Sequence, residues 1–140
     1  MQELQVNKEN CFSVLMAVYK KEQPLFFKEA LRSVFEQSLI PNEVVLVKDG
    51  PLTEELEQII VDFSSKNEQL KVITLEKNQG LGEALRIGLN ACSFDLVARM
   101  DSDDICKPYR FEKQIAFLKE HKEITIVGSW IEEFSDRKEE

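Results

Sequence analysis

The sequence has no apolar stretch that approaches the roughly 20 residues of a membrane-spanning helix, so this segment is expected to be soluble. Its first residues, Met1 to Gln5, are polar and acidic and include no basic segment ahead of an apolar run. We therefore expect no secretory signal peptide at this terminus. Membrane association of a longer parent protein stays open.

Cysteine and basic residues are also scarce. The three cysteines, Cys11, Cys92 and Cys106, lack CxxC spacing, which argues against a disulfide framework or a structural zinc site and favours a cytoplasmic location. Lys and Arg number 18 against 26 acidic residues, a formal charge of -8. Such a chain is not expected to bind nucleic acid, because that binding depends on clustered cations. An acidic chain that binds a diphosphate needs a metal to bridge the like charges.

Apolar runs alternate with segments of helical periodicity along the 140 residues. A continuous apolar run between turn residues indicates a buried strand, and apolar residues three or four apart indicate a helix. The predicted strands are Phe12–Val18, Glu43–Val47, Leu70–Leu75, Phe94–Met100 and Ile124–Trp130, and the predicted helices are Pro24–Leu39, one capped by Thr53, one from Leu81 to Leu89 and one begun by Pro108. This alternation predicts a single α/β domain with a parallel sheet and helices on both faces.

Three aspartates, Asp101, Asp103 and Asp104, follow the predicted fourth strand within four residues. Carboxylates this close repel one another, and a hard divalent cation with oxygen ligands is the natural compensation. A solvated acidic loop would need no ligand. The position favours a cation, because ligands of parallel α/β sheets bind beyond the carboxyl ends of the strands.

Four segments in order, Phe12 to Tyr19, Val44 to Gly50, Asn78 to Leu89 and Asp101 to Asp104, resemble the successive signatures of family 2 glycosyltransferases. The resemblance spans roughly residues 12 to 130. It implies a Rossmann-like GT-A fold, a central mostly parallel sheet whose first four strands have the order 3-2-1-4. By this interpretation residues 12–134 form the nucleotide-sugar-binding domain, residues 1–11 a lead-in and residues 135–140 a frayed tail.

The resemblance also implies roles for individual residues. Ala17, Val18 and Tyr19 would wall the nucleotide base, and Asp49 would accept a hydrogen bond from it, from uracil if the donor is a UDP-sugar. Asp101 would contact the ribose or the metal, and Asp103 would be the principal ligand of Mn²⁺ or Mg²⁺. For Asp104 we favour a structural role, orienting the loop or capping the helix near Pro108.

A cation for the diphosphate is harder to assign. The resemblance offers Arg86, but many family members have this arginine one position earlier, where this chain has Leu85. One helical position turns a side chain by about 100 degrees. Lys20, Lys21 and Lys48 are alternatives near the strand ends.

The implied reaction is an inverting, metal-dependent transfer of sugar from a nucleoside diphosphate to an acceptor hydroxyl. The acceptor would be a glycan or a lipid-linked glycan, as in polysaccharide biosynthesis. In the family the general base belongs to the second half of the fold, so it is expected beyond residue 140. The segment alone would then bind donor and metal and transfer sugar poorly or not at all.

Three other classes fit less well. Sugar nucleotidyltransferases and dinucleotide-dependent dehydrogenases need a glycine-rich loop after the first strand, where this chain has Tyr19-Lys20-Lys21-Glu22. Receiver domains need acids after the first strand and an aspartate after the third, whereas those strands end here at Val18-Tyr19 and Leu75-Glu76. A non-catalytic nucleotide-binding or assembly domain of the same fold remains an alternative.

Overall fold

The computed structural model describes residues 10–128. Four strands and four helices alternate in the order β1 Ser13–Val18, α1 Pro24–Phe35, β2 Glu43–Lys48, α2 Glu54–Lys66, β3 Leu70–Thr74, α3 Leu81–Ala91, β4 Val97–Arg99 and α4 Arg110–Glu120. The strands form one parallel sheet in the order β3-β2-β1-β4, which confirms the predicted topology. None of the helices described in residues 10–128 combines the length and apolarity needed to cross a membrane.

The central strands are buried on both sides, as their continuous apolar sequences predict. Successive side chains of a strand point to opposite faces, so β1 contributes Val14 and Met16 to one core and Leu15 and Ala17 to the other. The first core is covered by α1, α2 and α4, and the second by α3. The predicted helices on both faces are confirmed.

The order in which strands are added to the sheet reverses at β1. Strands β2 and β3 are added on one side of β1, and helices α1 and α2 pack on the same face of the sheet. Helix α3 then crosses the other face and returns the chain to β4, on the opposite side of β1. The sheet therefore has a switch point between β1 and β4, the place where open α/β sheets commonly bind ligands.

Several predicted boundaries are wrong. Helix α1 ends at Phe35 instead of Leu39, and β4 covers only Val97–Arg99 instead of Phe94–Met100. Within residues 10–128, strand β4 pairs with β1 alone, over three register pairs, and the chain bends before it.

The predicted strand Ile124–Trp130 is not formed over residues 124–128, and Ser129 and Trp130 lie outside the described residues. Ile126 is 86% exposed, so the apolar pattern there did not reflect burial within the described part of the chain. The lead-in and tail boundaries at residues 11 and 134 are not tested, because residues 1–9 and 129–140 are not described.

The fourth helix begins at Arg110, not at Pro108, and Asp104 does not cap it. Tyr109 is the N-cap residue and makes no side-chain capping bond. Instead, the amide of Gln37, a buried residue just after α1, reaches the new helix: Phe111 N–H donates to Gln37 Oε1 at 3.2 Å. Gln37 Nε2 donates to the Lys107 carbonyl at 2.7 Å, so one distant side chain fixes the start of α4.

Candidate functional site

A cavity of about 450 Å³ opens at the carboxyl ends of β1, β2 and β4, beside the switch point. This volume falls in the usual range for small-molecule sites. Its lining comes from four strand-end segments: Ala17, Val18, Tyr19, Asp49, Asn78, Gly80, Leu81, Arg99, Asp101, Ser102 and Asp103. The fold thus gathers residues that are more than eighty positions apart in sequence.

One side of the cavity is built by a contact between two loops. Asp49, 5% exposed at the end of β2, accepts hydrogen bonds from the N–H groups of Gln79 at 2.7 Å and Gly80 at 3.1 Å. These two amides precede α3, where backbone donors lack intrahelical partners. Each carboxylate oxygen retains a second acceptor position, so Asp49 can still bind a ligand N–H.

The same contact requires a glycine beside Asp49. Gly50 has a φ of +89°, and a Cβ at this position would lie 2.6 Å from the Asn78 backbone nitrogen. The Asn78 side chain donates back to the Asp49 carbonyl at 3.3 Å. The sequence predicted a turn at Asp49-Gly50 but not its partner, because nothing local shows which loop the turn will meet.

The acidic turn, which we define as Asp101 to Asp104, follows β4, on the other side of β1 from Asp49, and its first three residues line the cavity. Asp104 N–H donates to the Asp101 carbonyl at 3.3 Å, which closes the turn. Carboxylate oxygens of Asp101, Asp103 and Asp104 all lie within 4.8 Å of one another. Burial and the neighbouring charges of Asp101 and Asp103 raise the pKa of Asp104, so the carboxylates of the turn repel one another.

The acidic turn fits a divalent cation by its chemistry. Three carboxylates that converge from one short turn offer hard oxygen ligands, the donor type that Mg²⁺ and Mn²⁺ prefer. A cation there would relieve the repulsion that raises the Asp104 pKa. Asp104 therefore belongs to the acidic cluster, and its expected capping role is not found.

Comparison with known sequences decides the family. The profile of glycosyl transferase family 2 matches residues 13–140, nearly the whole chain. The chain belongs to this family. Its four-stranded parallel sheet and the surrounding helices accordingly have the GT-A fold expected from the motifs.

Relatives of this glycosyltransferase family 2 chain include two bacterial enzymes of named function. The chain is 48% identical over 123 residues to the Escherichia coli UDP-Gal:alpha-D-GlcNAc-diphosphoundecaprenol beta-1,3-galactosyltransferase, covering 88% of this chain and 44% of that protein. It is 43% identical over 129 residues to the amylovoran biosynthesis glycosyltransferase AmsE of Erwinia amylovora, covering 92% and 48%. The chain thus spans less than half the length of these relatives.

The fold also matches solved structures. The crystal structure of S. aureus TarS 1-349 in complex with UDP-GlcNAc is similar with a TM-score of 0.70 and 32% identity. The match covers 80% of this chain and 32% of that one. The arrangement of strands and helices around the cavity is therefore shared with a protein that was crystallised with a nucleotide sugar.

Six of the seven residues predicted to bind nucleotide or metal line the cavity of this family 2 domain: Ala17, Val18, Tyr19, Asp49, Asp101 and Asp103. Arg86 is not among the lining residues. Its exposed guanidinium pairs with Glu83, one helical turn earlier, at 2.6 Å. Contact of any of these residues with nucleotide remains a prediction.

The cations near the cavity differ from those expected. Lys20 and Lys21 are exposed and outside the lining, and Lys48 is paired with Glu57 at 2.6 Å. Among the described residues, Arg99 is the one basic residue in the lining, and its guanidinium lies 3.0 Å from the Asp101 carboxylate. Its place two residues before Asp101 is visible in the sequence, but a strand-end arginine alone indicates no ligand.

Proposed function

We propose that this chain is the donor-binding part of an inverting, metal-dependent glycosyltransferase whose donor is a nucleoside-diphosphate sugar, with UDP-sugar as the favoured class. The observation that carries the proposal is that Tyr19, Asp49 and the acidic turn line one cavity, with Asp49 and the acidic turn at strand ends on either side of β1. A nucleotide sugar has a base at one end and a diphosphate towards the other, so it needs both kinds of surface.

The residues of the cavity divide the donor between them. Ala17, Val18 and Tyr19 present mainly apolar surface for a base, and the half-exposed Tyr19 ring offers a face for stacking. Asp49 is held by the Gln79 and Gly80 amides with acceptor positions to spare, which suits a base N–H donor. The E. coli relative is named for a UDP-Gal donor, which favours uracil as that base.

The acidic turn serves the diphosphate end. Asp103, with Asp101, would hold Mn²⁺ or Mg²⁺, and Asp104 adds a third carboxylate nearby. When bound, such a cation offsets the negative charge of the departing nucleoside diphosphate. Arg99 supplies positive charge at the same side of the cavity, and we favour it over Arg86 as the cation for the donor phosphates.

The reaction would then be a single displacement. The acceptor hydroxyl oxygen forms a bond to the anomeric carbon while the bond from that carbon to the diphosphate oxygen breaks on the opposite face. A general base takes the hydroxyl proton. Every cavity carboxylate among residues 10–128 is assigned to donor or cation, so we place the base outside these residues.

Names of the relatives favour glycan or lipid-linked acceptors and polysaccharide biosynthesis. The cytoplasmic location remains a prediction.

Calorimetric titration with UDP in the presence and absence of Mn²⁺ tests this proposal. Wild type should bind UDP in a Mn²⁺-dependent way. Asp103→Ala should lose that dependence, because the substitution removes the principal ligand of the cation. Asp95→Ala is the matched control, since Asp95 is exposed and lies before β4, away from the acidic turn. Absence of UDP binding by wild type would refute the proposal and favour a non-catalytic assembly domain.

A further inference from the structure

Ser102 occupies the middle of the acidic turn and behaves unlike its neighbours. Asp101 and Asp103 are exposed, whereas Ser102 is 8% exposed and lines the cavity between them. Its hydroxyl donates a hydrogen bond to the carboxylate of Glu22, eighty positions earlier in the chain. The acidic turn is thereby tied at its centre to the loop between β1 and α1.

Glu22 is itself held at both its backbone and its side chain. Its N–H donates to the Tyr19 carbonyl at 3.1 Å, which closes the turn after β1. Its second carboxylate oxygen accepts the Gln23 N–H at 3.1 Å, and Gln23 is the N-cap residue of α1. A carboxylate at the start of a helix is favoured by the helix dipole. Glu22 is therefore a firmly placed acceptor.

The electrostatics argue that this link has a purpose beyond closing a loop. Glu22 brings a fourth carboxylate towards a turn whose three aspartates already repel one another. A neutral acceptor would fix Ser102 without added repulsion. A negative acceptor makes the hydrogen bond charge-assisted and therefore stronger, and it makes the surroundings of the turn more favourable to a cation.

The link also connects two parts of the cavity lining. Tyr19, in the proposed base wall, shares a hydrogen-bonded turn with Glu22, and Ser102 stands between the two aspartates proposed to hold the cation. A donor that contacts both parts binds more tightly when their separation is fixed before it arrives.

We propose that Glu22 is a positioning residue for donor binding, which through Ser102 fixes the acidic turn relative to the Tyr19 wall. This positioning role rests on the proposed function, because a fixed acidic turn increases affinity only for a ligand that contacts both the base wall and the cation. Glu22 itself is not among the residues that line the cavity. The corresponding variants should therefore weaken cation-dependent nucleotide binding while the fold persists.

The test compares Glu22→Ala, Ser102→Ala and the double variant by calorimetry with UDP over a series of Mn²⁺ concentrations. Each single variant should weaken UDP binding about tenfold or more, as loss of a partner that orients metal ligands does, and should raise the Mn²⁺ concentration at half-maximal binding. The double variant should bind no more weakly than the worse single one, because both remove the same link. Glu22→Gln, which keeps one acceptor oxygen, should recover part of the affinity.

Glu55→Ala is the matched control, since it removes an exposed glutamate from the first turn of α2, outside the cavity lining. Far-ultraviolet circular dichroism and melting temperature establish that each variant is folded; Ser102→Ala removes only one oxygen atom. Wild-type affinity and Mn²⁺ dependence in folded Glu22→Ala would overturn the inference, as would independent, additive losses in the double variant. If wild type binds no UDP with Mn²⁺, the proposed function itself fails and the inference with it.

Discussion

The carboxylate of Glu43 lies at the amino-terminal edge of the sheet, opposite the cavity, and only 2% of Glu43 is exposed. One oxygen accepts hydrogen bonds from Ser13 Oγ at 2.7 Å and from Ser93 N–H at 2.7 Å. The other accepts from Ser93 Oγ at 2.7 Å and pairs with Lys71 Nζ. All the acceptor positions of an ionised carboxylate are thus engaged by donors.

These donors determine the charge state of Glu43. Burial alone raises its pKa, but Lys71 and the hydrogen bonds from Ser93 and Ser13 outweigh burial and lower the pKa from 4.5 to about 2. Since one pKa unit is worth about 1.4 kcal/mol, the ionised network stabilises the fold by at most about 3 kcal/mol at neutral pH. Lys71 is 57% exposed, so solvent screens its part of this value.

The sign of the pH effect follows from the lowered pKa. The stabilisation is complete above the unfolded pKa of 4.5 and is lost as pH falls from there towards the folded pKa near 2. Roughly two-thirds of it should be lost between pH 7 and pH 3. Glu43→Gln has no such titration, so the stability difference between wild type and this variant should shrink by about 1–2 kcal/mol over that interval.

Urea unfolding followed by circular dichroism at several pH values measures this difference. Glu68→Gln is the control, because Glu68 is exposed and its replacement should change stability by less than about 0.5 kcal/mol. A wild-type advantage over Glu43→Gln that stays constant from pH 7 to pH 3 would refute the reasoning. It would mean that the network stabilises the fold by shape and hydrogen bonding without dependence on the Glu43 charge.

Two further predictions concern the cavity. Gly50→Ala should destabilise the domain by about 1–3 kcal/mol in urea unfolding and weaken UDP binding, because its Cβ meets the Asn78 backbone at positive φ; Gly82→Ala, where an added Cβ meets nothing within 4 Å, should not destabilise it. The 140-residue chain should release little or no UDP from a UDP-sugar with acceptor present. Turnover that continues after removal of divalent metal would contradict both the proposed placement of the general base outside residues 10–128 and the proposed metal dependence.

The sequence sufficed to predict the sheet because its central strands are extreme cases. β1 and β2 are buried on both faces, so their residues are almost continuously apolar. The start of α2 was predictable because its N-cap is local: Thr53 Oγ1 accepts the Leu56 N–H at 3.3 Å. The short edge strand β4 has no such pattern, because its residues are only partly buried. The predicted strand Phe94–Met100 was accordingly longer than the observed Val97–Arg99.

Contacts between polar groups that are distant in sequence could not be predicted from local sequence patterns. Gln37 at the start of α4, Asp49 at the start of α3 and Glu43 below β1 each satisfy backbone or hydroxyl donors from segments at least thirty residues away. No spacing rule identifies such partners, since any polar residue near a turn is a candidate. In the site, the order of motifs predicted which strand ends would meet, but not that Arg99 would line the cavity and Arg86 would turn to Glu83.

The central claim is that a nucleoside diphosphate spans the cavity from the Tyr19 wall to a cation on the acidic turn. A crystal grown with UDP and Mn²⁺, with anomalous scattering collected at the manganese edge, tests it directly. We predict one anomalous peak within coordination distance of Asp103 and of the diphosphate oxygens, with uracil beside Asp49. A peak away from the acidic turn, or nucleotide bound outside the cavity, would contradict the account.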